Sequence, residues 1–459
     1  MDNMDNFTII TDSYKLGHWK MLPIGTEYVY SYFEARTGAK YKQTVFFGLQ
    51  KLLKELESIR ITMEDVELGK AFTDAHIGPN VFNYDGWKHI VENHNGRLPL
   101  EIRAVAEGTA VPINNVLFTV VNTDPKCPWL VGHAETILTH CWYASTVATL
   151  ARTTKEFFIK VMTETCDTLE KLPYMLHDFG LRGVSSLESA GMGGLGVLAS
   201  FEGTDNIPAI LAGWKYYNTK EMLGFSVNAT EHSIMTSLGR KGEAQVIADL
   251  IEKFPTGIIS IVSDSYDIEA CVRELYGDRF KEAILNRDGV LVVRPDSGDP
   301  VSTIMALLNI IEDKFGSYEN KKGYKLLNDK VRLIWGDGID LSGIKDIVNA
   351  MIAQHWSVDN ICFGMGGGLL QKMNRDTQRF AFKSSAQCRY GVWHNIFKDP
   401  IDKSKRSKEG KLALIKENGI FKTVSQEEGK GRDLLIPVFY NGKVTKEYEF
   451  KEVRINSNQ

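Results

Sequence analysis

No C-x-x-C pair occurs in this chain, and its six cysteines are scattered: Cys127, Cys141, Cys166, Cys271, Cys362 and Cys388. Most stand in apolar surroundings. That predicts buried free thiols in a reducing cytoplasm rather than disulfides or a zinc site. No apolar run is long enough to span a bilayer. The opening residues, MDNMDNFTII, lack the basic and apolar regions of a secretory signal, so a cytoplasmic location is expected. Nor is there an excess of positive charge: 54 Lys and Arg stand against 58 Asp and Glu, a net charge of −4. Neither nucleic acid nor a membrane is therefore an expected partner. No fixed repeat and no Pro-rich or Gly/Ser-rich linker divides the chain. What is present is ordinary globular composition, 43% hydrophobic and 24% charged over 459 residues. That is ample for one large core or two to three domains.

Residues 1–130 mix extended stretches, TEYVYSYFEAR, PLEIRAVAEGTAV and NVLFTVVNT, with helical pieces such as FFGLQKLLKELES. The alternation of Tyr28, Tyr30 and Tyr32 predicts a half-buried strand. A helical pattern runs from about 134 to 165. Beyond it, four segments share one design: GIISIVSDSYD, GVLVVRPDSGD, VRLIWGDGID and NICFGMGGGLL. Each is a short apolar run, rich in β-branched residues, that ends abruptly in Gly, Asp or Ser. Helical stretches such as YDIEACVRELYGDRFKEAIL and PVSTIMALLNIIEDKF lie between them. Successive parallel strands, covered on both faces, have this pattern. In such folds the loops at the carboxyl ends of the strands build the binding site. The four polar endings are therefore expected to converge.

Within LVVRPDSGDP, Arg294 and Asp296 form an opposite-charge pair at a strand end, expected at a barrel rim facing a ligand. FGMGGGLLQK sets three glycines after a strand, offering free N–H groups to a phosphate or making a tight turn. WGDGID adds Gly336 and Asp337, suited to a ribose hydroxyl or a metal-bound water, or to a plain Asp-Gly turn. In SVNATEHSIM, Asn228 and Glu231 resemble a capping box, which places His232 in the first turn of a helix. The dipole there suits a neutral or phosphorylated imidazole; a lone histidine is more often structural. Asp205, in FEGTDNIPAI, stands at an expected helix start, where an acid is most simply a cap. LHDFGLRGVSS sets Phe179 near Arg182, an arrangement suited to a flat ring carrying a phosphate tail. TDSYKLGHWK offers Asp12, Tyr14 and Lys15. The basic segment NIFKDPIDKSKRSKEGK, 395–411, reads as a mobile solvated loop or as a clamp on polyphosphate.

Taken together, TDSYKLGHWK, YSYFEAR, LHDFGLRGVSS, GTD, EHS, VSDSYD, RPDSG, GDG, GGGLLQK, FKDP and GKVTKEY resemble the nicotinamide phosphoribosyltransferase family. The resemblance covers nearly the whole chain in the same order. It implies an α/β fold: the irregular (β/α) barrel of the type II phosphoribosyltransferases, with a second α+β domain built from the N- and C-terminal parts. The expected division is 1–148, completed by 386–459, and a barrel over 149–385. The implied reaction joins nicotinamide to phosphoribosyl pyrophosphate, with Mg²⁺ as cofactor and ATP as co-substrate, in a homodimer whose active sites are shared.

The resemblance also implies roles. Phe179 matches one face of a pyridine sandwich and Tyr14 of the partner subunit the other. Asp205 matches the acceptor of a carboxamide N–H, and Arg294 the group reaching its oxygen. Asp12 falls in the same substrate set. Asp296, Gly336 and Asp337 match ribose and metal-proximal positions, and Gly366 with Gly367 the 5′-phosphate site. Arg36, Arg182, Arg375, Lys383 and Lys398 match phosphate-holding residues. His232 matches a histidine phosphorylated by ATP, and Asp264 an acid beside it. Mg²⁺ is expected to be held mainly by pyrophosphate oxygens and water. Asn228, where relatives often carry proline, and Met365, in place of a small polar residue, depart from the pattern, and the segment after Arg36 is shorter. Three rival readings are a nicotinate phosphoribosyltransferase, a barrel glycosidase using Asp264 and Asp296, and a non-catalytic nucleotide-binding or signalling protein.

Overall fold

The computed structural model describes residues 6–401 and 406–459. It divides into two compact units: residues up to Thr149 with Gly213–Lys220 and Met373–Gln459, and Leu150–Ala212 with Glu221–Lys372. The expected barrel ran to residue 385, and the structure moves that boundary. The strand Ala381–Arg389 pairs along its length with Thr26–Glu34, so its hydrogen bonds tie it to the first unit. Gly213–Lys220 belong there too, because the Tyr217 hydroxyl donates to buried Glu107 at 2.6 Å.

The first unit is built on a seven-stranded antiparallel sheet. Its order is Val392–Asn395, Ala381–Arg389, Thr26–Glu34, Val116–Asn122, Leu100–Ala104, Ile436–Tyr440 and Lys443–Val444. The Tyr28–Tyr32 alternation does not mark a half-buried strand. That strand is third of seven, and residues 29–34 are buried on both faces. Phe33 stacks on Phe118 and Phe380 at 4.7 and 5.1 Å, while Tyr32 is wholly buried on the opposite face. Glu107 also accepts from the N–H groups of Gly48 and Gln50, at 3.1 and 2.5 Å, where the helix Leu49–Ser58 begins. Burial pushes its carboxyl upward. The three donors and the positive helix end offset that cost.

The second unit is a curled parallel sheet. Its strands run in the order Gly203–Thr204, Leu176–Asp178, Ile361–Met365, Val331–Trp335, Asp288–Arg294, Thr256–Val262 and Asn228–Ala229. The four segments singled out in the sequence are four consecutive neighbours in it. A bridge between Gly203 and Phe225 ties the first strand of that order to the segment just before the last, with Phe225 N donating to Glu202 O at 2.7 Å and Thr204 N to Phe225 O at 2.9 Å. Helices return the chain between strands. Pro300–Phe315, for example, starts on Asp299, whose carboxylate accepts from Ser302 N at 2.9 Å, and stops at Gly316 with φ 83°. Pro at the first position and Gly after the last fit the ends of a helix. All six cysteines are free, five of them buried. No described helix is long and apolar enough to cross a membrane.

Candidate active site

The barrel encloses a cavity of about 660 Å³. Strand periodicity decides what lines it. In Asp288–Arg294, the residues Val290, Val292 and Arg294 face the cavity, while Leu291 and Val293 are buried away from it. Arg294 is therefore the last inward residue at the carboxyl end of its strand. From other walls come Ser260, His177, Phe179, Asp205 and Ser226.

Phe179 is seated by glycines. A Cβ on Gly364 would stand 2.0 Å from Phe179 Cε2, and one on Gly336 3.0 Å from the same atom. Its backbone N–H donates to Met365 O at 3.1 Å. The Arg294 guanidinium lies 5.3 Å from the ring centroid, a cation–π distance. The sequence paired Phe179 with Arg182. Arg182 instead points outward from the short turn Leu181–Gly183, and the arginine over the ring comes from a distant strand. Gly336 thus makes room for an aromatic ring.

Behind Phe179, Asp178 is fully buried. It accepts from Gly180 N at 2.7 Å and from Asn206 Nδ2 at 2.8 Å, and its carbonyl accepts from Asp205 N at 3.0 Å. Burial raises its carboxyl to about 6, against the lowering effect of those donors. This one residue fixes the turn beneath Phe179 and the backbone of Asp205. The Asp205 side chain does not cap a helix as a lone acid would. Its Oδ1 accepts from the Ser226 hydroxyl, and the carboxylate faces the cavity. His177, also on the cavity wall, is held neutral by desolvation, which lowers its pKa.

A chain of charges leads from the ring pocket to His232. Arg294 donates to Asp296 Oδ1 through Nη2 at 2.9 Å and Nε at 3.3 Å. Asp296 N and the Ser297 hydroxyl donate to Asp264 Oδ2 at 3.2 and 2.5 Å. Asp264 Oδ1 lies 3.0 Å from His232 Nε2, and His232 Nδ1 lies 3.9 Å from Asp296 Oδ2. His232 is half exposed while the Asp264 carboxylate is buried. One buried acid, Asp264, thus holds an accessible imidazole in place. His232 does open a helix, the four-residue His232–Met235 with Glu231 before it, but the expected capping box is not made, since Asn228 lies in the strand Asn228–Ala229. Thr230 explains this, since its N–H donates to Ser260 O and its hydroxyl accepts from Val262 N, holding the segment in the sheet.

The glycine run is only partly free. Gly366 lies against the Phe179 carbonyl, with a Cβ there 3.3 Å from it, and Gly368 against Ile339 O. Gly367 alone of the three faces open space and begins the four-residue helix Gly367–Leu370. Met365 is wholly buried. The Asp337 carboxylate is exposed, while its carbonyl accepts from Trp335 Nε1 at 2.8 Å.

The remaining expected residues belong to the first unit. Asp12 precedes the turn Ser13–Lys20, which carries an exposed Tyr14 and a buried Lys15. Lys383 sits with Arg36, Lys398 and Arg375. Burial first, and then the like charge of Arg36, lowers its ammonium pKa, with Glu135 opposing and Lys398 and Arg375 adding smaller effects. Cations that act on one another electrostatically in this way fit a polyanion. Around 395–411, Lys398 N donates to Ser407 Oγ at 2.8 Å and Lys408 pairs with buried Glu34. Residues 402–405 of that basic segment lie outside the described residues.

Two solved structures share the fold. One is nicotinate-nucleotide pyrophosphorylase from Pyrococcus furiosus, with a TM-score of 0.62 and 16% identity over 100% of this chain and 96% of that one. The other is human nicotinic acid phosphoribosyltransferase, with a TM-score of 0.59 and 16% identity over 98% and 93%. The fold is that of the type II phosphoribosyltransferases. Residues 174–442 match the model of the nicotinate phosphoribosyltransferase family, and residues 6–102 that of the nicotinamide phosphoribosyltransferase N-terminal domain. A nicotinamide phosphoribosyltransferase of Xanthomonas campestris pv. campestris (strain 8004) is 42% identical over 100% of this chain and 99% of its own. One of Acinetobacter baylyi is 33% identical over 96% and 95%. The chain belongs to this family of phosphoribosyltransferases, enzymes that transfer a pentosyl group.

Proposed function

We propose that the protein transfers the 5-phosphoribosyl group of phosphoribosyl pyrophosphate to the ring nitrogen of nicotinamide, releasing nicotinamide mononucleotide and pyrophosphate in NAD salvage. The observation that carries this reading is one cavity holding an aromatic face, Phe179, beside a carboxylate, Asp205, whose Oδ1 is already bonded to Ser226. The remaining carboxylate oxygen has no hydrogen-bond donor among the described residues and can accept a carboxamide N–H. The names of the relatives support the same substrate.

The pyridine nitrogen brings its own lone pair, so no general base is needed. That lone pair forms the bond to the anomeric carbon as the carbon–oxygen bond to pyrophosphate breaks, and the electron pair leaves with pyrophosphate. Phe179 orients the ring for in-line attack, and Tyr14 of the partner subunit covers its other face in a homodimer. Arg294 reaches the carboxamide oxygen. Asp296 and Gly336 face the ribose. Gly366, Gly367, Arg182, Arg36, Arg375, Lys383 and Lys398 hold phosphates and take up the charge that gathers on the leaving group. The donor set fits Mg²⁺ held mainly by pyrophosphate and water. Asp264 and Asp296 are committed to protein donors, and Asp337 offers the one exposed carboxylate among these three. Bound there, Mg²⁺ would neutralise the departing pyrophosphate. His232 accepts a phosphoryl group from ATP, oriented by Asp264, and the reaction proceeds in the cytoplasm.

Amide is preferred over acid because of charge. A nicotinate carboxylate about 4 Å from Asp205 would be repelled by about 4 kcal/mol at an effective dielectric near 20. Arg294 gives limited relief, since Asp296 already pairs with it at 2.9 Å. Product formation with nicotinamide and nicotinate side by side, with and without ATP, tests this. Nicotinamide should dominate, and Asp205→Asn should narrow the ratio of kcat/KM values at least tenfold. An unchanged ratio refutes the role of Asp205.

A further inference from the structure

The first unit gathers metal-ligating side chains that are not among the residues assigned above. His89 and His94 stand on the helix Tyr84–His94, and Asp124 and Cys127 on the turn after the strand Val116–Asn122. Nε2 of His89 and Nε2 of His94 converge on a single atom, Asp124 Oδ2, at 2.8 and 2.6 Å. The Cys127 sulfur lies within 4.8 Å of the His89 and Asp124 donor atoms, a set of three that His94 joins only through Asp124. It is wholly buried and has no hydrogen-bond partner among the described residues. Two histidines and an aspartate alone form a satisfied hydrogen-bonded cluster. A thiol beside His89 and Asp124 adds nothing to that cluster, but makes three ligands, to which His94, on the same carboxylate, can add a fourth.

We propose that His89, His94, Asp124 and Cys127 bind one Zn²⁺-class cation through two imidazole nitrogens, a carboxylate oxygen and a thiolate. The spacing is H-x4-H on the helix and D-x2-C on the turn, within the range that zinc ligand pairs adopt. Mixed nitrogen, oxygen and sulfur donors suit zinc and its neighbours, whereas Mg²⁺ takes six oxygens. The site is thus chemically distinct from one that serves pyrophosphate. A tetrahedral ion with bonds of about 2.0 Å to nitrogen and oxygen needs those ligand atoms about 3.3 Å apart. The two contacts to Asp124 Oδ2 would open by roughly half an ångström, and His94 Nε2, outside the 4.8 Å set, would draw in towards the other donors.

Outer contacts are in place on two ligands. Asp124 Oδ1 accepts from Lys126 N at 2.8 Å, which leaves Oδ2 for the metal. The Asn93 amide lies 3.0 Å from His89 Nδ1. With Nε2 on a metal, Nδ1 carries the proton, and the Asn93 amide, turned over, accepts it. Binding releases one proton, from the Cys127 thiol, to solvent. The ion would staple a helix end to a strand end, so its effect is on stability, not on the transfer step.

The test uses the full chain, stripped with a chelator and titrated with Co²⁺. One equivalent should produce the near-ultraviolet thiolate-to-metal absorption and the visible bands of tetrahedral Co²⁺, and Zn²⁺ should erase both. Trp87 and Trp129, each two residues along the chain from a ligand and with ring centroids 4.6 Å apart, should report binding as quenched fluorescence. Cys127→Ser should lose the thiolate band. His89→Gln and His94→Gln should weaken binding by on the order of 100-fold or more. His140→Gln, at an exposed histidine elsewhere, should change nothing. Zn²⁺ should raise the melting temperature of the wild type and not of the His94→Gln chain. Absence of the thiolate band in the folded wild type would mean a hydrogen-bonded cluster only and overturn the proposal. So would undiminished binding in the histidine variants, which keep the proposal testable if Cys127→Ser does not fold.

Discussion

Gly364→Ala is the sharpest perturbation of the ring pocket, because it touches no ligand and still displaces the aromatic face. The new Cβ would stand 2.0 Å from Phe179 Cε2, 2.2 Å from Cδ2 and 2.7 Å from Cζ. Carbon atoms pack at about 3.5–4.0 Å, so the ring must retreat by about 1.5 Å. A misplacement of that order costs roughly 100-fold in rate, or about 2.7 kcal/mol of transition-state stabilisation. Stability should fall by about 1–3 kcal/mol from overpacking. The assay is kcat/KM for nicotinamide in the folded variant, paired with thermal melting. Gly132→Ala, where a Cβ meets nothing within 4 Å, is the control and should leave activity intact. A double-mutant cycle isolates the mechanism. With Phe179→Ala already present the clash has no partner, and Gly364→Ala should then cost less than about twofold, the cycle absorbing the rest. Full activity in Gly364→Ala, or an equal loss in both backgrounds, would refute the seating of Phe179 by glycine.

Asp264→Asn should reduce acid-labile phosphate on the protein and ATP stimulation together, because it removes the charge 3.0 Å from His232 Nε2. ATP-independent transfer should persist, and phosphorylation at the wild-type level would refute the orienting role. Glu107→Ala strands the N–H groups of Gly48 and Gln50 and the Tyr217 hydroxyl; chemical denaturation should show a loss of about 3–5 kcal/mol. Buried His133, whose ring bonds to Phe7 O at 2.7 Å, has its pKa lowered by desolvation to about 4, from an ordinary 6.5. Its unfolded form binds the proton first, so its contribution is complete above pH 6.5 and is lost as pH falls to about 4, some 3 kcal/mol in all. His133→Gln, which can still donate to Phe7 O, should flatten acid unfolding across that window; an unchanged slope would assign it to other groups.

Much of the barrel was legible in the sequence. Four apolar runs ending in Gly, Asp and Ser are four neighbouring parallel strands, because a strand covered on both faces has no polar alternation to hide it. The first unit misled for the same reason: Tyr28, Tyr30 and Tyr32 suggested one wet face, yet Ser31 and Phe33 are as buried as the tyrosines. Gly364 carried a signal that went unused, since a glycine inside a strand marks a close approach. Asp178, buried behind Phe179, looked like one more acid in LHDFGLRG.

Local sequence determined where strands stop, which helices are capped, and which residue types gather at the strand ends, since these depend on neighbours a few positions away. Only the tertiary structure decided that Arg294 rather than Arg182 lies over Phe179, and that Asp178 serves both Phe179 and Asp205. It alone brought His89, Asp124 and Cys127 together, with His94 bonded to the same carboxylate oxygen as His89. Such contacts join residues tens of positions apart. The curl of the sheet and the packing of a helix end against a strand end create them, and no local preference along the chain encodes them.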